Sequence, residues 1–209
     1  MASAGPAGGS SSPLKDQAKK ALLVKSDLPK GWTSSPGSNG GGTFPGATQL
    51  AKCLDLPVSV INAKPPTVNS PDFSSKNGLL SVGDSVSIDA STSIAKMDFE
   101  SLADSQAPAC LTAAFNGPAR SELSSGFGKG ASMGTVTVSR TPSSYFGPHT
   151  AHVTLYVPVS QSGTTLNLQL TLVDYTKGRL EQAMYFSAVE SSFPSSLSKR
   201  LTTVGDRRL

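Results

Sequence analysis

Ser132 sits in Gly130-Ala131-Ser132-Met133-Gly134, the G-x-S-x-G spacing that surrounds a hydrolase nucleophile. That chemistry needs a strand before the serine and a helix after it, so that the hydroxyl stands on a strained turn. Here a glycine-rich loop precedes the motif and a strand pattern follows. The later order, His149, His152 and then Asp174, also reverses the Ser–acid–His order of that fold. With 20 glycines in the chain, a chance match is the better reading of Ser132. The two histidines lie where a loop enters a strand, a spacing that turns them to opposite faces, and no Cys, Asp or Glu lies near in sequence to complete a metal set. The acids Asp89, Asp98, Glu100, Asp104, Asp174 and Glu181 sit in unrelated sequence settings and suggest no acid–base pair. The glycine-rich stretch 34–46 lacks the strand, helix and Lys-Ser/Thr of a phosphate loop. The expectation is no catalytic residue, no metal and no cofactor.

Binding residues are easier to nominate. Tyr145 and Phe146 stand between prolines in the loop TPSSYFGPH, at the edge of a strand block, and form a candidate binding lip or a lid on the core. The polar face of that block, with His152, Tyr156, Gln169 and Tyr185, is either a shallow cleft or a solvated surface.

The elements that must hold these residues are mostly strands. From Gly134 to Glu190, four segments alternate apolar and polar residues, and a period of two puts alternate side chains on opposite faces of a strand. Gly163 and Gly178 mark hairpin turns. With LLSVGDSVSID added, the pattern predicts an α+β fold whose five-stranded antiparallel sheet uses residues 80–89, 134–141, 150–159, 164–174 and 179–189. Val153, Leu155, Val157, Leu166, Leu168, Leu170, Leu172, Leu180, Met184 and Phe186 are assigned to one buried face, covered by helices packed on that face only. Helices are expected after Pro13, around Cys53, from Ser91, from Pro108 and from Pro194. Residues 1–12 read as a disordered tether and 13–209 as a single domain.

Charged residues are only 15% of the chain, and the net charge of +4 is dispersed except for Lys199, Arg200, Arg207 and Arg208 near the C-terminus. No basic stripe interleaved with aromatics is present, so nucleic acid is not an expected partner. No apolar run is long enough to span a bilayer, and the first residues lack a signal-peptide pattern. The two cysteines, Cys53 and Cys110, each fall in a short helix on a Ser/Gly-rich chain of secreted character. They are expected to form a disulfide; the alternative is two buried thiols. On that reading a signal or lipid anchor has been removed ahead of Met1.

Several short motifs also carry a resemblance: DLPKGW after the first helix, then CLDLP, SPDF, APACL, KGRLEQAMYF and a final helix opened by proline. Together they resemble the actinobacterial extracytoplasmic sensor-type domain family, PknH sensor-like and LpqN-like, with a PsbP-like fold, over about residues 14–209. The resemblance implies an antiparallel sheet with packed helices, an exported or lipoprotein-type location and a binding or signalling role without chemistry. Having two cysteines rather than two disulfides, and no attached kinase, the chain matches a stand-alone surface domain of that kind. The expected ligand is a small molecule, lipid or cell-wall fragment. A protein-interaction adaptor is the alternative, and a serine hydrolase through Ser132 the remote one.

Overall fold

The computed structural model of the chain describes residues 11–37, 45–140, 146 and 150–209. The predicted tether therefore falls mostly outside the described residues. Helix α1 spans Ser11–Ala21, a 3-10 turn spans Lys25–Asp27, and β1 is Thr33–Ser35. Then come α2 (Ala47–Cys53), α3 (Val58–Ile61), β2 (Thr67–Asn69), β3 (Asp72–Ser74) and β4 (Leu80–Ile88). Helices α4 (Thr92–Ala103), α5 (Ala107–Asn116) and α6 (Arg120–Gly126) follow, with β5 (Ala131–Met133) and β6 (Thr137–Ser139) after them. The chain ends with β7 (Ala151–Gln161), β8 (Thr164–Lys177), β9 (Leu180–Val189) and α7 (Ser195–Arg208).

All pairings are antiparallel, in the order β1-β3-β4-β9-β8-β7-β5, with β2 added to β4 and β6 to β7. The α+β class stands, but among the described residues the sheet has nine strands, not five. Of the expected strand 134–141 only Thr137–Ser139 (β6) is strand; β5 lies ahead of it at Ala131–Met133, and both pair with the same edge of β7. The β7–β8 hairpin turns at Ser162 and Gly163, with φ of 51° and 82°. Two consecutive left-handed residues are what a two-residue turn between twisted strands requires.

Register corrects the assignment of faces. Thr171 of β8 pairs with Phe186, and Val173 with Met184. Since paired residues point the same way, Leu168, Leu170 and Leu172 lie opposite to Leu180, Met184 and Phe186. They side with Val153, Leu155 and Val157 instead. Each strand alternates as expected, but a slip of one residue exchanges its faces, and alternation alone leaves that slip undetermined.

Helices consequently pack on both faces rather than one. On the first, α1 and α7 cover Val82, Val86, Ile88, Val173, Tyr175, Leu180, Met184 and Phe186, with Trp32 and Phe193 beside them. On the second, Leu102 of α4, Leu111 and Phe115 of α5 and Leu123 of α6 close over Val153, Leu155, Val157 and the β8 leucines. Asn116 fastens α5 to the sheet like a strand partner: its Nδ2 donates to the Val136 carbonyl at 2.7 Å, and its Oδ1 accepts from the Val136 N–H at 2.9 Å. A disulfide joins Cys53 of α2 to Cys110 of α5. Among the described residues no helix is long and apolar enough to cross a membrane.

The basic C-terminus is a clamp as well as a helix end. Arg208 makes two 2.7 Å bonds to the Asp27 carboxylate, and Gln17 donates to the Leu209 carbonyl at 2.8 Å. Helix α7 lies so close to the sheet that a Cβ on Gly205 would collide with Tyr175 Oη and Met184 Cε and come within 3.0 Å of Gln182 Nε2. Alanine normally stabilises a helix relative to glycine by about 1 kcal/mol. At Gly205 overpacking dominates, so Gly205→Ala should lower stability by about 1–3 kcal/mol in urea unfolding. Equal or greater stability would show that α7 can lift off the sheet without cost.

Candidate functional site

The first face leaves a cleft of about 250 Å³ beside the N-terminal end of α7. Its aromatic walls are Phe146, Tyr156, Phe186 and Phe193, and its polar groups are Ser139, Arg140, Gln169, Thr171, Ser192, Ser195 and Ser198. Tyr156, Gln169 and Thr171 reach it because β7 and β8 pair Tyr156 with Gln169 and Thr154 with Thr171. Behind it runs a file of rings: Trp32 against Phe193 at 6.3 Å, Phe193 against Phe186 at 4.9 Å, Phe186 against Phe146 at 6.1 Å, and Phe146 against His152 at 5.1 Å. These spacings suit offset or edge-to-face contact between aromatics. Arg140 is held at the rim by the main-chain oxygens of Leu102, Ala103 and Asp104 at the end of α4.

The structure thus brings together three of the nominated binding residues, Phe146, Tyr156 and Gln169. His152 is buried at 4% exposure beneath Phe146, so it supports a wall and offers no accessible imidazole. Thr154 and Thr171, in phase with Tyr156 and Gln169, are buried and share a 2.9 Å hydrogen bond across the strands. Tyr185 lies elsewhere. It is half-exposed on the second face, among Ser81, Ser187, Asp72 and Leu170. Tyr145 and His149 lie outside the described residues.

Among the described residues Ser132 has no histidine or acid beside it along the sheet. It sits on the edge strand β5 opposite Ser160, with its hydroxyl donating to the Ser160 carbonyl at 3.5 Å. His152, on the same strand as Ser160, is roughly 26 Å away at about 3.3 Å per residue. Asp174 pairs with Ala151 at that far end too.

The acids that looked unrelated in sequence do converge. Asp89, Asp98 and Glu181 each place an oxygen within 4.8 Å of the others. Asp174 adjoins them, within hydrogen-bonding reach of Glu181. Asp89 ends β4, Glu181 opens β9, Asp174 is on β8, and α4 lays Asp98 over them on the second face. Burial is the main reason that all four carboxyls titrate high, and their mutual repulsion adds to it for Asp98, Asp174 and Glu181, taking Asp98 to about 7. Arg179 opposes the effect at Asp89, while its Nε donates to the Asp89 carbonyl at 2.6 Å. One signal was available in the sequence. A hairpin turning at Gly178 pairs Thr176 with Glu181 and Asp174 with Ala183, which puts Asp174 and Glu181 two positions apart on one face. A further cavity, of about 530 Å³, opens beside this group, with Asp89 and Arg179 in its wall and Lys15 and Lys64 at its rim.

No family model and no curated protein matches the chain. Among solved structures it is similar to the extracellular domain of PknH from Mycobacterium tuberculosis, with 8% sequence identity, a TM-score of 0.43 and coverage of 92% of this chain and 95% of that one.

Proposed function

We propose that this chain is a non-catalytic extracytoplasmic binding domain, and that its ligand is a small ring-bearing molecule such as a sugar unit of a cell-wall fragment. The observation that carries the reading is the aromatic cleft on the first face. Ligand sites typically combine apolar or aromatic walls with a few fixed polar groups, and this cleft has four rings, a cluster of serines, the Gln169 amide and an anchored arginine. Its volume sets the scale of the ligand. A cavity of about 150 Å³ takes benzene, so about 250 Å³ suits one substituted ring. The disulfide supports export, because such bonds persist in oxidising compartments. An adaptor role finds less support: the exposed large apolar side chains Val24, Val58, Leu79, Tyr156, Leu166 and Tyr185 are spread over separate elements and both faces of the sheet.

Trp32, the only tryptophan, contacts Phe193 in the cleft wall and gives a direct readout. Titrating N-acetylglucosamine and its short oligomers should shift Trp32 fluorescence saturably. Tyr156→Ala should weaken binding about tenfold, since a lost ring contact of roughly 1.4 kcal/mol is one decade of affinity. No saturable change with any sugar, together with no ligand retained in native mass spectrometry, would remove this reading.

A further inference from the structure

Asp89 is fully buried and Asp174 only 5% exposed, yet with the four acids ionised neither Asp89 oxygen, nor Oδ1 of Asp174, has a hydrogen-bond donor. A proton on Glu181, which lies within reach of both residues, is the alternative to a cation. Buried acceptors are almost always satisfied, and an unpaired buried carboxylate is far costlier than an unpaired amide. The positive group facing them, Arg179, spends its Nε on the Asp89 main chain. Asp174 stands outside the trio that shares the 4.8 Å spacing, but it lies beside Glu181 and its Oδ1 is likewise unsatisfied. The cluster lacks a positive partner equal to its charge.

We propose that Asp89, Asp98, Asp174 and Glu181 bind a hard divalent cation, calcium by preference. The donors are all carboxylate oxygens, which select calcium or magnesium over the softer metals. His152, the described histidine, is on the other face of the sheet and adds no nitrogen. Oxygens across a calcium ion lie roughly 4.6–5.2 Å apart, twice a bond of about 2.3–2.6 Å, and the trio fits inside that span. Magnesium dehydrates reluctantly and keeps several waters, whereas this group is walled in by β4, β8, β9 and α4. The cavity beside Asp89 supplies an entry route and room for a water ligand. Bound there, the ion ties α4 to the end of β4 and to the β8–β9 hairpin, elements that otherwise meet through repelling charges. The site is on the opposite face from the aromatic cleft, so it stands or falls apart from the proposed ligand.

The test is calorimetric titration of chelator-treated, dialysed full-length protein with calcium chloride and magnesium chloride at pH 7.5, followed by thermal unfolding. The expected result is one calcium per chain, bound at least tenfold tighter than magnesium. At a free calcium of about 100 times Kd, Tm should rise by roughly 5–10 °C. Asp98→Asn, a change on a partly buried helical residue, should weaken calcium at least tenfold and abolish most of the Tm rise. Glu100→Gln, which removes an exposed carboxylate on the same helix, should leave both unchanged. The proposal is overturned by the absence of saturable calcium binding up to 10 mM. It is also overturned if Asp98→Asn and Glu100→Gln weaken calcium equally, which would mark diffuse surface attraction. A third outcome against it is Asp98→Asn raising Tm while the wild-type Tm ignores calcium, as for carboxyls that settle their charge by sharing protons. Equal calcium and magnesium affinity overturns the stated preference.

Discussion

Asp84→Ala should destabilise the protein by about 3–5 kcal/mol, the largest effect expected of any single substitution away from the cysteines. Asp84 sits in the middle of β4, 3% exposed, opposite Met184 at the centre of the first face. Helix α1 ends at Ala21, and the next buried main-chain donor, Leu23 N–H, reaches both Asp84 oxygens at 3.2 and 3.3 Å. Gln182 Nε2 donates to the same carboxylate at 2.6 Å. Truncation leaves two buried donors unpaired, at roughly 1–3 kcal/mol each, and adds a cavity. The group also carries a pH dependence. Burial raises its carboxyl to about 6, against the pull of bonds from Ser70, Leu23 and Gln182 and the charge of Arg208. A carboxyl with its folded pKa above its unfolded value favours the folded state fully below about pH 4 and loses that contribution as pH rises to about 6. The amplitude is about 3 kcal/mol. Asp84→Asn keeps the Leu23 bond, and a turned Gln182 amide can offer its unpaired Oε1 to the new amide. That variant should stay folded and lack this titration. Guanidinium unfolding of wild type and both variants from pH 4 to 7 is the measurement. A wild-type minus Asp84→Asn difference that stays flat with pH would refute the assignment, as would an alanine variant within 1 kcal/mol of wild type.

The same residue shows how far sequence reasoning reaches in this fold. In LSVGDSVSI, Asp84 falls in phase with Val82 and Val86, so alternation alone marked a charged group at a buried position. What it could not supply was Leu23 and Gln182, which come from far along the chain. Strands β4, β7, β8 and β9 were legible because each runs for nine residues or more with its own alternation. Strands β1, β2, β3, β5 and β6 have three residues each, too few for a period to show; β2, β3, β5 and β6 form along the longer β4 and β7, and β1 adds to β3. The assignment of Leu168 and Phe186 to one face failed for a different reason. Tyr175 and Val173 make the second half of β8 apolar on both sides, so hydrophobicity did not fix its phase relative to β9. Once both faces are covered, the alternation of polar with apolar no longer means wet against dry, and His152 and Thr154 are buried accordingly. The acid cluster was hidden because the β4–β9 pairing that joins Asp89 to Glu181 spans nearly half the chain. That Phe146, Tyr156 and Gln169 lie near one another was legible for a local reason: two come from paired positions on adjacent hairpin strands, and the third from the segment before them.

Removing the disulfide, by Cys53→Ala with Cys110→Ala, should cost about 4 kcal/mol in guanidinium unfolding. Closing a loop of 57 residues restricts the unfolded chain by that amount in the loop-entropy description. The folded side adds a prediction about where the loss is felt. Helices α2 and α3 lie at the margin of the fold, and α2 is held chiefly through Ala47, Leu50 and Ala51 against α5. Cys110 is buried in α5, the helix that Asn116 bonds to Val136. The disulfide therefore fastens a loosely packed segment to one that the sheet already holds. Without it, amides of residues 47–61 should exchange by local opening well below the global unfolding free energy, while those of β7, β8 and β9 should follow global stability. Hydrogen exchange read by mass spectrometry separates the two. A stability loss under 1 kcal/mol would mean that the unfolded chain gains little freedom from the cut. Uniform acceleration across α2 and β8 would mean that the first helices and the sheet open as one unit, and that the bond braces the whole fold, not its edge.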